Sequence, residues 1–213
     1  MKFDDVLTLF GKQGWFDLPS AVQLSARSDE SLVVQLHRWC KAGRLIHLRR
    51  SMYAFAEKYR RTQISPTQLA NQIYTPSYIS THWALGFYGL IPEKVVTFTS
   101  VTSRVPRTFN NAFGKFTYRH LKPAAFFGYR RTLIDGAPVL MAEPEKALLD
   151  FWHLAPGRWD HARMTEMRFQ NFELIQPVKL TAYADRYVSP RLTEAVRVWN
   201  GLAEDGLEGT VEL

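Results

Sequence analysis

Apolar positions recur along the chain with periods of about 3.6 and about 2, and the switches between them divide it into elements. Residues 3–13 carry Phe3, Val6, Leu7 and Phe10 on one side, which predicts a helix ended by Gly11 or Gly14. Asp17-Leu18-Pro19-Ser20 opens a second short helix over 19–25, with Pro in its first turn. Over 28–42 the apolar residues Leu32, Leu36 and Trp39 fall at i, i+4 and i+7. Ser28 reads as the N-cap, Asp29 and Glu30 suit the positive end of that helix, and Gly43 supplies its left-handed stop. Ser31, Gln35 and Arg38 fall opposite the apolar side, with Lys41 nearby. Residues 45–48 then predict a short strand, Arg49-Arg50-Ser51 a turn, and 52–55 the returning strand.

Past a polar, basic junction at 57–61, Ser65-Pro66-Thr67-Gln68 has the form of a helix start, and Pro76 breaks that helix. Residues 79–88 predict an apolar helix containing His82 and Trp83, ended by Gly89. Strands are expected at 95–102, 116–121, 129–134 and 137–141, the last two flanking Asp135-Gly136, a strong hairpin signal. Helices follow at about 143–154, 160–170 and 177–188, and a last one runs from Ser189-Pro190 to Gly201. The expected fold is therefore α+β. A first domain spans 1–58 and a larger mixed α/β domain spans 62–213, sheet-rich over 95–141 and helical over 143–201.

Charge sharpens this picture. The chain has 213 residues and a net charge of +7. Residues 1–61 carry +5, residues 62–131 carry +7 and residues 132–213 carry −5. Basic charge thus fills the first two thirds, a field that attracts polyanions. No apolar run approaches a membrane span, and acidic residues stand near the start where a signal peptide would be basic. The expectation is a soluble, cytoplasmic protein with no membrane partner. Cys40 alone cannot form an intramolecular disulfide and reads as an inert thiol.

Three helices and a basic two-stranded ribbon match the order and size of a winged helix-turn-helix. On that reading Gln35 and Arg38 have side chains suited to bidentate contact with bases. Arg27, Ser28 and Ser31 sit at the helix start. Lys41, Arg49, Arg50 and Ser51 suit phosphates or the minor groove. Arg104, Arg107, Arg130 and Arg131, in the second domain, would add backbone contacts.

Other chemistry finds little footing. There is no phosphate-cradling Gly-rich loop and no nucleophile elbow. His82 and His153 sit in apolar helices and read as hydrogen-bonded core histidines. Glu143, Glu145 and Asp150 fit a helix start, where negative charge is stabilised. No metal or cofactor is expected.

Two places in the chain resemble the AbiEi-like antitoxin family, linked to abortive infection and to regulation of viral defence. One is LHRWCKAGRLIHLRRSMYAF. The other is the series YISTHWALGFYGLIPE, TSRVPRTF and VLMAEPEKALLDFWHL, and together they span about residues 3–155. The chain departs from the family at Arg50-Ser51-Met52-Tyr53, where a Gly commonly stands shortly before the Tyr. The resemblance implies a non-enzymatic antitoxin of a type IV toxin–antitoxin system. Such a protein represses its own promoter by binding repeats in double-stranded DNA. It also counters a nucleotidyltransferase-like toxin without a required stable complex. Two rival readings remain. The basic second domain, with Arg119, His120 and Arg130, would suit a nucleic-acid-processing enzyme. The acidic last third would suit a module that neutralises a toxin by direct binding.

Overall fold

The computed structural model describes residues 2–24 and 29–208. The chain opens with α1 (Phe3–Phe10), β1 (Trp15–Asp17), α2 (Leu18–Gln23), α3 (Asp29–Lys41), β2 (Leu45–Arg49) and β3 (Met52–Phe55). Asp17 caps α2, its carboxylate accepting the Ser20 N–H at 2.9 Å. After α3 the chain reverses at Gly43, whose φ of 64° few other residues tolerate. The three strands form an antiparallel sheet in the order β1-β3-β2. β1 is a strand that the hydrophobic pattern does not predict, since three residues carry too little alternation to show.

The larger part begins with α4 (Pro66–Ile73), where Ser65 accepts the Gln68 N–H at 3.3 Å as its spacing predicts. Then come β4 (Ser77–Ile79), α5 (Thr81–Phe87), β5 (Phe98–Thr102), β6 (Arg107–Asn111), β7 (Gly114–His120), β8 (Tyr129–Ile134) and β9 (Ala137–Ala142). They are followed by α6 (Pro144–Leu154), α7 (His161–Glu166), α8 (Pro177–Asp185) and α9 (Pro190–Glu208). Six strands form one mixed sheet in the order β6-β7-β5-β4-β9-β8. β4 runs parallel to β9 and β5 parallel to β7, while the remaining pairs are antiparallel. Asp135 and Gly136, at φ 50° and 76°, make the tight turn of the β8–β9 hairpin. The helix expected from residue 79 starts later because Tyr78 and Ile79 are claimed by β4.

α4 covers one face of this sheet, and the Tyr118 hydroxyl on β7 donates to the Ala70 carbonyl at 2.5 Å. α5 and α6 cover the other face. There α6 carries a buried ion pair between Lys146 and Asp150, both wholly out of solvent. Asp150 also accepts from Tyr78 at 3.1 Å, Ser80 at 2.7 Å and Tyr187 at 2.6 Å. One carboxylate thereby fixes β4, the entry to α5 and the segment after α8 against α6. Glu143 and Glu145, at the start of α6 as expected, both pair with Lys179 at 3.2 Å.

Buried side chains form two clusters. The smaller contains Phe3, Val6, Phe16, Leu32, Leu36 and Phe55. The larger follows the six-stranded sheet. The β2–β3 hairpin lies between them. Leu45, Tyr53 and Phe55 enter the small cluster, and Leu48, Met52 and Ala54 enter the large one. A strand buried on both faces reads as an unbroken apolar run, which is the pattern of Met52-Tyr53-Ala54-Phe55.

Candidate nucleic-acid interface

α3 buries Leu32, Leu36 and Trp39 and so turns a fixed set of residues outward. Glu30, Ser31, Val33, Val34, His37, Arg38 and Lys41 are exposed. Of the candidates named from sequence on this helix, Ser31, Arg38 and Lys41 stand on the open surface. Gln35 does not: it is half-buried on the flank, and its Oε1 is out of solvent with no hydrogen-bond partner among the described residues. Val33, Val34 and His37 are additions to the outer face, with Val34 52 % exposed. Valines at these positions look like core in a sequence, and only the burial of Leu32 and Leu36 shows which way they face. Arg27 and Ser28 lie outside the described residues.

The hairpin does not project freely. Arg49 Nε donates to the Ile73 carbonyl at the end of α4 at 2.6 Å, and its Nη1 donates to the Arg50 carbonyl at 2.7 Å. Asn111 on β6 donates to the Leu48 carbonyl at 3.2 Å. The Leu18 N–H donates to the Ser51 carbonyl at 2.8 Å, and Ser51 itself takes a φ of 61° in the turn. The hairpin tip is therefore tied on both sides. Arg49 is partly buried, while Arg50 is exposed.

Beside the tip lies a cleft of about 270 Å³ whose walls include Arg49, Arg50, Tyr74, Arg104, Arg107 and Phe109. Arg104 stacks 4.7 Å above the Tyr74 ring, and its Nη1 donates to the Thr75 carbonyl at 3.1 Å. His120 Nδ1 donates to the Arg104 carbonyl at 2.9 Å. Among the described residues four arginines line this one cleft and no carboxylate does. Such a grouping favours an anionic occupant.

Arg130 and Arg131 lie on β8, at the opposite edge of the sheet from β6. Five strand spacings of about 4.8 Å put these edges roughly 24 Å apart. As neighbours on one strand the two arginines face opposite ways. The Arg130 cation acts on the Tyr88 phenol, whose hydroxyl donates to the Ala142 carbonyl at 2.8 Å. Arg131 instead lines a groove of about 460 Å³ with Gln68, Gln72 and Thr75, and Thr75 also borders the arginine-rich cleft. Arg119, His120 and Arg130 do not converge, because β7 and β8 are four strands apart.

His82 departs from the core placement expected for it: it is exposed at the rim of a separate pocket. His153 is partly buried and lies tilted against the Tyr187 ring at 5.1 Å, and its Nδ1 has no hydrogen-bond partner among the described residues. Cys40 is partly buried, and burial pushes its thiol above the ordinary value, away from reactivity. Among the described residues no cluster of three His, Cys, Asp or Glu could hold a metal ion. Among the same residues no helix is long and apolar enough to cross a membrane. Comparison with protein-family models and with curated proteins finds no match to the chain.

Proposed function

We propose that residues up to about 60 form a winged helix-turn-helix and that the chain is a DNA-binding repressor of its own promoter. The element order, the β1-β3-β2 sheet and the outward face of α3 support this reading. α3 enters the major groove with Arg38 available to guanine. Lys41 and Arg50 meet phosphates on either side of the groove. The observation that carries the proposal is continuity: the exposed end of α3 is followed by a hairpin tip sharing one basic cleft with Arg104 and Arg107. The second part of the chain then contacts the same duplex, and Arg49 serves mainly to hold the tip in place.

The resemblance to AbiEi-like antitoxins extends the proposal. The chain counters a nucleotidyltransferase-like toxin encoded beside it, in the cytoplasm, with no stable complex required and no catalysis of its own. Binding of the full chain to a labelled duplex from upstream of its gene, followed across a salt series, tests the first part. Affinity is expected to fall steeply with salt, and Arg38→Ala with Arg50→Ala to weaken it about tenfold or more. Absence of binding at moderate salt, or a double variant that binds like the parent, overturns it. Co-expression with the neighbouring gene product tests the second part, rescue of growth being the expected outcome.

A further inference from the structure

On the α5–α6 side of the large sheet lies a second pocket of about 390 Å³, separate from the basic cleft. Thr81, His82, Thr117 and Arg119 bring polar groups to it, and Phe151 and Pro156 give it an apolar wall. Thr81 is 5 % exposed and holds a φ of 53°, a conformation that β-branched residues seldom adopt. Backbone strain of this kind persists only where the surroundings enforce it, and it gathers at ligand-binding positions. The enforcement is visible on both sides of Thr81. The Ser80 hydroxyl donates to Asp150 at 2.7 Å. The Thr99 hydroxyl donates to the Ser80 carbonyl at 2.8 Å and accepts the Trp83 N–H at 3.0 Å.

Polar capacity is left over in this pocket. Among the described residues the hydroxyls of Thr81 and Thr117 and the imidazole of His82 have no hydrogen-bond partner. Arg119 gives one Nη2–H to the Leu154 carbonyl at 3.2 Å, and its other N–H groups are uncommitted. His82 lies edge-on to Phe151 at 4.6 Å. Burial against the wall and then the Arg119 cation hold its pKa below the ordinary value, so at neutral pH it offers one N–H and one acceptor. A guanidinium fork, two hydroxyls and an imidazole N–H are more donors than a two-oxygen carboxylate uses. They suit the three oxygens of a phosphate monoester. The wall and the volume leave room beyond the phosphate for an apolar body.

We propose that this pocket binds a small organic phosphate, with Arg119, Thr81 and Thr117 on the phosphate oxygens and Phe151 and Pro156 against the organic group. None of these residues belongs to the proposed DNA face, so the two readings stand or fall separately. Calorimetry on the full chain with phenyl phosphate, inorganic phosphate and benzoate is the test. Phenyl phosphate is expected to bind saturably with a Kd on the order of 1 mM or tighter. The other two probes are expected to bind more weakly. Arg119→Gln and, separately, Thr117→Val should each raise the Kd, the former about tenfold, with unchanged circular dichroism. The His82 imidazole, followed by NMR, should titrate at higher pH with phenyl phosphate present. No saturable binding of phenyl phosphate, or equal binding by parent and both variants, overturns the proposal. Inorganic phosphate binding as tightly as phenyl phosphate overturns the organic part, and benzoate binding as tightly overturns the phosphate.

Discussion

Arg49 and Ile73 are joined by a hydrogen bond of 2.6 Å that crosses from the hairpin tip to the last turn of α4. Arg50, the next residue along, has an exposed side chain in the same cleft. Two adjacent arginines, alike in sequence, therefore divide between holding the structure and meeting solvent. Arg49→Ala is expected to lower stability by about 1–3 kcal/mol, since it strands a carbonyl that a charged donor had satisfied. It should leave the salt slope of DNA binding nearly unchanged. Arg50→Ala is expected to change stability by less than about 0.5 kcal/mol and to reduce the salt slope by about one. Urea unfolding together with binding at several salt concentrations separates the two.

The Lys146–Asp150 pair gives a second prediction. Asp150→Ala removes the acceptor shared by Tyr78, Ser80 and Tyr187 and leaves Lys146 charged in the interior. Breaking a buried pair from one side costs about 3–5 kcal/mol. Replacing both members with apolar residues of similar size, Lys146→Met with Asp150→Leu, is expected to recover part of that loss. The three stranded hydroxyls should limit the recovery. Equilibrium unfolding of the three proteins measures it, and a double variant no better than Asp150→Ala would show that the hydroxyls outweigh the charge.

Alkaline pH should unfold the chain. Burial raises the phenols of Tyr78, Tyr88, Tyr118, Tyr183 and Tyr187, aided for Tyr78 and Tyr187 by the Asp150 carboxylate. For Tyr88 and Tyr183 the pKa is pushed up to about 12. A raised folded-state pKa gives stability that is whole below the ordinary value of 10.0 and lost as pH climbs through the folded value. Lys146, lowered by burial, contributes in the opposite direction below 10.5. Five tyrosines outweigh one lysine. The phenolate absorbance of these five tyrosines is expected to appear together with the loss of circular dichroism above about pH 10.

The outer face of α3 offers a test of base reading. Val33 and Val34 stand 41 % and 52 % exposed beside Arg38. In the groove an apolar side chain of this kind touches the thymine methyl. Val34→Ser should leave stability almost unchanged and weaken specific binding by about 1 kcal/mol or more, with little effect on random-sequence DNA. Equal weakening on both duplexes would place Val34 outside base readout.

How far the chain could be read in advance follows from the range of the interactions. Elements fixed locally were legible. Asp135-Gly136 announced its hairpin, Ser65-Pro66 its helix, and Gly43 the end of α3. β4 and β6 were not legible. β4 has three residues, and Arg107–Asn111 is a polar edge strand whose place is set by pairing with β7. The helix expected over 160–170 is cut short at Glu166, and Arg168 follows in a left-handed conformation with φ 49°. The outward placement of Arg38 followed from helical spacing. The role of Arg49 did not, because the partner that occupies it, the Ile73 carbonyl, is distant in sequence.

The hairpin inserted between two cores also limits how the chain can be divided. A fragment ending near residue 60 would keep Tyr53 and Phe55 covered but hand Leu48, Met52 and Ala54 to water. The remainder would lose the floor on which part of its own interior rests. Neither piece is a ready-made module. Transplanting the first sixty residues onto another body would require the underside of the ribbon to be refitted to its new host. Variation that spares the fold is therefore confined to residues that point away from both interiors, which on α3 means the few side chains that already face outward.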